Sequence, residues 1–506
     1  MAKFHLTSLL NGFKFLVKAT VCFFAVYSVF LICLVPLPII LIYRTIFSIG
    51  FLIFSKGKYK LVTSPDVVYT CFNSFRNVSN TSFFVYIDGP CDIENLRERL
   101  KANILRRDEN GNRPYGTFLN SFKERFNLLW LADRSSSIDF DYHIRLFPGW
   151  DISTKLLSEY EFFDMASKRI DEEWLENKPK WELLVAPKVT VEEDGKNKIC
   201  SVVFLKFHHF YLDGISIVQL LRHCIADKPV SELYIDPVKP PIPFVPLRFK
   251  IVGILRAIFL EPYEIFETLT VKDSFLSQKC FGETLYGRSK MQISKETMRI
   301  IRKSFNCSTQ AILHSAFLGS LYKRASSKGL KIPEEFVAAS IFAGFPYPNM
   351  YPQNRAYFGC RKVKYGGVNP IDRLRTMNKF MRNLQQRHYA LKSTLILMKL
   401  LGLYPMSVIR FIMECLKPCY FISNVPGVRT NASFNGKNVT KIMGFPPLCN
   451  GIGFCGGGGY YEDIYGFGFF VRESDIVNSR ADMEKWISEF ENEICFLEKA
   501  ARDLRK

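Results

Sequence analysis

Apolar positions are distributed along the chain in three regimes. From Ala19 to Tyr43 the sequence ATVCFFAVYSVFLICLVPLPIILIY runs for twenty-five residues without a charge. A helix of that length spans roughly 37 Å, more than the ~30 Å hydrocarbon core of a bilayer requires. It exceeds the apolar core of a signal peptide and no small-residue cleavage site follows, so it reads as a retained membrane anchor. Pro36 and Pro38 interrupt it, and beyond Arg44 a second apolar arm runs to Phe54. Two arms fit a hairpin within one leaflet; a single tilted span is the alternative. Lysines flank both ends (Lys3, Lys14, Lys18 and Lys56, Lys58, Lys60), which places both ends in the cytosol and favours the hairpin. Against this stand five Asn-X-Ser/Thr sequons at Asn77, Asn80, Asn306, Asn431 and Asn438, usable only in a lumenal domain.

After Thr63 the pattern becomes amphipathic. Phe83 to Asp88 predicts a strand, and Asp92 opens a helix with apolar positions at Leu96, Leu100 and Ile104. Ile199 to Phe207 is a nearly continuous β-branched and aromatic run, hence a buried strand, and Ile215 to Ala226 predicts a helix. Asp236 to Pro246 (DPVKPPIPFVP) excludes helix and interior strand and reads as a linker. Phe249 to Thr270 is partly amphipathic and suits a membrane surface or a bridge between lobes. The alternating pattern resumes near Tyr286, passes a helix at Ser308–Lys323, and ends with a charged amphipathic helix from Arg480 to Lys506. The divisions are therefore an anchor at 1–60, a lobe at 64–235, a linker and crossover at 236–275, and a second lobe at 276–506.

Composition adds two constraints. With 48% apolar and 23% charged residues among 506, the chain is not disordered, and its 46 phenylalanines require extensive apolar burial in protein or lipid. The net charge of +20 admits nucleic acid, an anionic membrane or a phosphorylated ligand as partner. No zinc finger or basic recognition stripe is present, so nucleic acid is set aside. The 14 cysteines include no CxxC pair, and the closest spacings, Cys415 to Cys419 and Cys449 to Cys455, lack neighbouring His or Cys ligands, which argues against a zinc site; at this density they are not a disulfide scaffold either.

The candidate chemistry sits between the buried strand and the helix that follows it: His208-His209-Phe210-Tyr211-Leu212-Asp213-Gly214. A histidine held in a tight loop suits proton removal from an alcohol, Asp213 orients the loop, and Gly214 permits close approach. The string HHxxxDG in a strand-loop-helix context resembles the active-site motif of acyltransferases with the chloramphenicol-acetyltransferase-like fold. Pro179-Lys180-Trp181-Glu182 resembles the PLWE segment of the bifunctional wax ester synthase/diacylglycerol acyltransferase family. Ser423-Asn424-Val425-Pro426-Gly427 is similar to its SNVPG motif. Asn354 to Gly359 resembles its GNxxG segment, Ser64-Pro65-Asp66 its opening, and His143 stands where the family has a histidine before a proline turn. The resemblance runs from about Ser64 to the C-terminus.

That resemblance implies an α/β fold of two chloramphenicol-acetyltransferase-like lobes with a tunnel between them, here preceded by a membrane helix or hairpin. It implies His209 as general base and Asp213 beside it, with His208 and Gly214 supporting. Asn424 is either a hydrogen-bond donor to the developing oxyanion or the cap of a turn, and Trp181 is core packing. Acyl-CoA would be a co-substrate, with no cofactor or metal, and a fatty alcohol or diacylglycerol the acceptor. A cytosolic catalytic domain on the endoplasmic reticulum is the expected location. Two departures stand out: Thr309-Gln310 replaces an Asn-Asp pair, and Gly456 to Gly459 reads as a flexible loop near the end of a strand. The competing expectation is an inactive lipid-binding or scaffolding protein on the same fold.

Overall fold

A computed structural model describes residues 2–62, 66–71, 79–150, 156–193, 195–227, 247–271, 282–343, 352–386, 396–415, 418–429, 431–448 and 452–505. The proline-rich linker at Asp236–Pro246, Ser64-Pro65 and the sequon at Asn77 lie outside the described residues.

The N-terminal apolar stretch forms two helices, Ala2–Leu34 and Leu37–Phe54, parted where Pro36 and Pro38 deny backbone donors. Both lie against the body of the protein. Phe23 stacks on Phe259 at 5.3 Å, and Phe51 packs 4.3 Å from Trp130. Arg44, the charge that divides the two apolar arms, is buried against the body. Its guanidinium donates to the carbonyls of Val62 (2.9 Å) and Leu403 (3.0 Å), so backbone dipoles replace water around it. Of the sequons, Asn80 is buried, its amide donating to Ile170 O and accepting from Trp174, which removes it as a glycan site in the folded protein.

Among the described residues, two seven-stranded mixed sheets build the body, beside a small three-stranded one. In the first, Lys196–His208 lies between Asn80–Asp88 and Trp181–Glu193, both antiparallel to it. Its other outer neighbour, Lys437–Phe445, comes from far along the chain and pairs with Asn80–Asp88. The stretch 433–445, inside the 276–506 unit, therefore crosses to the first lobe. In the second sheet Tyr420–Val428 runs parallel to both Glu335–Ala343 and Phe454–Tyr461. Ala356–Lys364 closes one side and Ile464–Arg472 extends the other. The crossover Phe249–Thr270 forms the helices Leu247–Phe259 and Glu261–Leu269, the second lying over the strand Ala356–Lys364. The C-terminal helix Arg480–Asp503 packs its apolar face, including Trp486 and Phe490, on the second sheet.

An aromatic joint between the lobes accounts for part of the phenylalanine excess. Phe84 of the first sheet meets Tyr286 and Phe445 edge-on at 5.1 and 5.0 Å, and Tyr286 stacks on Phe470 at 4.6 Å. Such pairs add about 0.5–1.5 kcal/mol each beyond area burial. Beside them Arg288 of the second lobe donates to Glu159 of the first at 2.6 Å, and the Tyr86 hydroxyl donates to the same carboxylate at 2.7 Å.

Gly456 to Gly459 is not a loop but the middle of the strand Phe454–Tyr461. The glycines are there because neighbours occupy the space of their missing side chains. A Cβ at Gly456 would lie 2.5 Å from the Phe467 ring, one at Gly458 2.6 Å from the Tyr465 hydroxyl, and one at Gly457 inside the Gly444 carbonyl of the crossing strand. The glycine run lets two sheets and their aromatics close on each other.

Candidate active site

His208 ends the central strand opposite Asn80. Its N–H donates to Lys180 O at 2.9 Å and that of His209 to Ser79 O at 2.8 Å, so both flanking segments hold the strand end. The loop then turns on Tyr211, whose hydroxyl accepts from Lys180 N and donates to Asn120 O, both at 2.8 Å. Asp213 N-caps the helix Gly214–Leu220, one carboxylate oxygen accepting from Ser216 N at 3.1 Å. Its other oxygen accepts from the backbone N–H of Arg355 (2.8 Å) and Ala356 (3.0 Å), tying the loop to the second lobe.

The second lobe meets this loop with two of the quoted segments. Asn354 is buried and its amide donates to His209 O and Phe210 O, both at 2.9 Å, and to Asp66 at 3.1 Å. Val425 presses on Gly214, where a Cβ would lie 2.8 Å from a Val425 methyl. A Cβ at Gly427 would fall inside the Tyr460 carbonyl on the neighbouring strand, so the last glycine of SNVPG is required by strand packing. Asn424 accepts from the Tyr465 hydroxyl at 2.7 Å through its carbonyl oxygen, which leaves its NH2 group as the end able to donate elsewhere.

Between the lobes lies a cleft of about 110 Å³, lined by His209, Asp213, Gly214, Ser423, Asn424 and Tyr460 among others. The His209 ring stacks on Tyr69 at 4.8 Å, nearly parallel. Burial lowers the pKa of His209 from its ordinary value; its own backbone carbonyl and the Asp213 charge oppose that shift. The imidazole is thus held neutral, the form that accepts a proton. His208 points elsewhere: its Nδ1 accepts from Phe210 N at 3.1 Å, its ring meets Phe122 edge-on, and burial followed by Lys180 holds its pKa well down.

Other sequence candidates fall outside the cleft. Trp181 is fully buried, donates from Nε1 to Phe118 O at 2.7 Å and stacks with His143, whose Nδ1 lies 2.6 Å from Trp181 O. Glu182 is buried between Arg145 (3.0 Å) and Arg169 (2.7 Å). Thr309 and Gln310 open the helix Thr309–Ser327, capped by Ser308, and Gln310 donates to Ile341 O at 3.4 Å. Tyr69 and Tyr465 were not singled out in the sequence. Nothing in their local pattern marks them, since each meets its partner across more than 40 positions of chain. Among the described residues no group of His, Cys, Asp or Glu side chains is arranged to hold a metal ion.

Residues 354–473 match the family model of the WS/DGAT C-terminal domain. Asn354, Ala356, Asn424, Gly427, Tyr460 and Tyr465 all lie within it, so the matched segment supplies most of the second-lobe side of the cleft. Among solved structures, the wax ester synthase/diacylglycerol acyltransferase of Marinobacter aquaeolei VT8 superposes with a TM-score of 0.54 at 14% identity. The match covers 86% of this chain and 98% of that one. A trichothecene 15-O-acetyltransferase from Fusarium sporotrichioides gives 0.53 at 11% identity, covering 87% and 96%. The first condensation domain of the calcium-dependent antibiotic synthetase gives 0.52 at 11%, covering 88% and 96%. The chain therefore has the two-lobed fold of WS/DGAT acyltransferases and condensation domains. No curated protein matches the chain in sequence.

Proposed function

We propose that the chain is a membrane-associated O-acyltransferase that moves a long acyl group from coenzyme A to a lipophilic alcohol. The observation that carries this reading is the placement of a neutral His209 in a cleft between the lobes, facing the Asn424 strand. His209 removes the hydroxyl proton as the alcohol oxygen attacks the thioester carbonyl. The tetrahedral intermediate collapses, the C–S bond breaks, and the proton passes from His209 to the departing thiolate of coenzyme A. The NH2 group of Asn424, oriented by Tyr465, is the donor proposed for the oxyanion. Burial keeps the Tyr465 hydroxyl protonated and so able to hold that orientation. Asp213 acts through position, its carboxylate being engaged with backbone N–H groups of both lobes.

The membrane assignment rests on the stretch Asn11–Phe54, apolar enough to cross a bilayer and with its most apolar window unburied. Resistance of the full chain to alkaline carbonate extraction tests it; release into the supernatant overturns it. The lysines on both sides support a cytosolic body, so glycosidase treatment should leave electrophoretic mobility unchanged.

Product analysis tests the reaction. Membranes containing the chain, supplied with palmitoyl-CoA and either hexadecanol or diacylglycerol, should form ester only when an alcohol is added. Acyl-CoA left intact with both acceptors would replace this reading with the scaffolding one.

A further inference from the structure

The catalytic cleft, at about 110 Å³, is smaller than the roughly 300–1,000 Å³ of sites that enclose whole small molecules. It suits the reacting groups, and a long alkyl chain requires a second compartment. A cavity of about 470 Å³ lies between the first N-terminal helix (Tyr27, Phe30), the crossover helix (Ile265), and the segment 396–413 (Leu397, Leu401, Met413). Two elements join it to the cleft. Val68 lines the cavity while the next residue, Tyr69, stacks on His209. The strand Ala356–Lys364 starts in the cleft at Ala356 and lines the cavity at Cys360, about 13 Å further along at 3.3 Å per residue.

The surroundings of this cavity are lipid-like. Val29, Ile396 and Phe411, from these elements, and Leu255 of the neighbouring helix Leu247–Phe259 are 60%, 63%, 66% and 48% exposed, an apolar face that water covers poorly. Among the described residues the charged groups that line it, Glu261 and Arg361, are ion-paired with each other, so this lining favours an occupant without net charge.

We propose that this cavity holds the hydrocarbon chain of the neutral lipid alcohol, which enters sideways from the bilayer and presents its hydroxyl past Tyr69 to His209. Acyl-CoA, with its charged phosphates, is excluded from such an entrance. This inference rests on the acyltransferase reading for the alcohol's role, but the site is testable without turnover.

The test uses the full chain carrying His209→Ala in phosphatidylcholine vesicles, labelled with a hexadecanol analogue bearing a diazirine in its chain. Label is expected on peptides containing Tyr27–Phe30, Ile265 and Leu397–Leu401, suppressed by excess hexadecanol. Ile265→Trp, which fills the cavity, should cut that labelling about tenfold, equivalent to excluding roughly two methylene groups. In the otherwise wild-type chain Ile265→Trp should raise the KM for hexadecanol similarly, with the KM for palmitoyl-CoA unchanged. Label that hexadecanol does not compete, or that falls only on outward-facing residues, overturns the site even if Ile265→Trp fails to fold. Competed labelling of the cavity, together with a wild-type chain that forms no ester, would keep the site and overturn the acyltransferase reading instead.

Discussion

Asn354 joins the two halves of the candidate active-site cleft, and its removal should be felt in both stability and turnover. Its amide supplies donors to His209 O and Phe210 O at 2.9 Å in a buried setting. Asn354→Ala leaves two buried carbonyls without that donor, at about 1–3 kcal/mol each, so a loss of about 2–6 kcal/mol is expected. Asn354→Asp, assayed at pH 8, should be worse despite its matching shape. An ionised carboxylate donates nothing, and it would face two carbonyls and the Asp66 carboxylate 3.1 Å from the present amide nitrogen. A displacement of the His209 loop by about 1 Å should lower kcat/KM about 100-fold. The assays are thermal melting followed by tryptophan fluorescence and steady-state acyl transfer. An Asp variant equal to wild type in both would refute the reasoning. A lowered melting point with unchanged kcat/KM would show that Asn354 stabilises the joint without positioning the base.

Gly427→Ala should be strongly destabilising, by about 3 kcal/mol or more, because the new methyl meets the Tyr460 carbonyl across two paired strands. Gly466→Ala, whose nearest neighbour would be 3.8 Å away, is the control and should change the melting point little; equal effects would contradict the packing account. The acid limb of the kcat/KM profile should have its midpoint below the ordinary imidazole value of about 6.5, because burial depresses His209 and the protonated ring is inactive; a midpoint above it would contradict the burial. Stability should also fall on acidification. His143 and His223 are held down to about 4 and His314 to about 3, all by burial, so the unfolded chain binds protons first. Their contribution is complete above about pH 6.5 and is lost as pH falls toward 4 for His143 and His223 and toward 3 for His314, by about 3 kcal/mol for His143 alone; a melting point unchanged from pH 7 to 4 would refute this.

Much of the first lobe was legible because its signals are local. The run Ile199–Phe207 announces a central strand, Asp92 caps the helix Ile93–Leu105, and the His-to-Gly spacing marks the loop. What stayed illegible depends on distant partners. The glycine run 456–459 looks like a loop until Phe467, Tyr465 and Gly444 are seen filling the space beside it. Tyr69 reaches His209 across 140 positions, and Tyr465 reaches Asn424 across 41. The crossing of 437–445 into the first sheet carries no local sign either, since an amphipathic strand reads alike in both lobes. Arg44 looked like a boundary between apolar arms because the carbonyls that satisfy it belong to residues 62, 402 and 403.

In the proposed reaction His209 is the proton acceptor. The direct measurement is ester formation from palmitoyl-CoA and a lipophilic alcohol by membranes carrying wild type or His209→Ala at equal protein level. The variant should lose on the order of 10² to 10⁴ in rate, the usual share of a positioned base, with its melting point retained. Turnover at the wild-type rate by a folded His209→Ala protein would contradict the central claim.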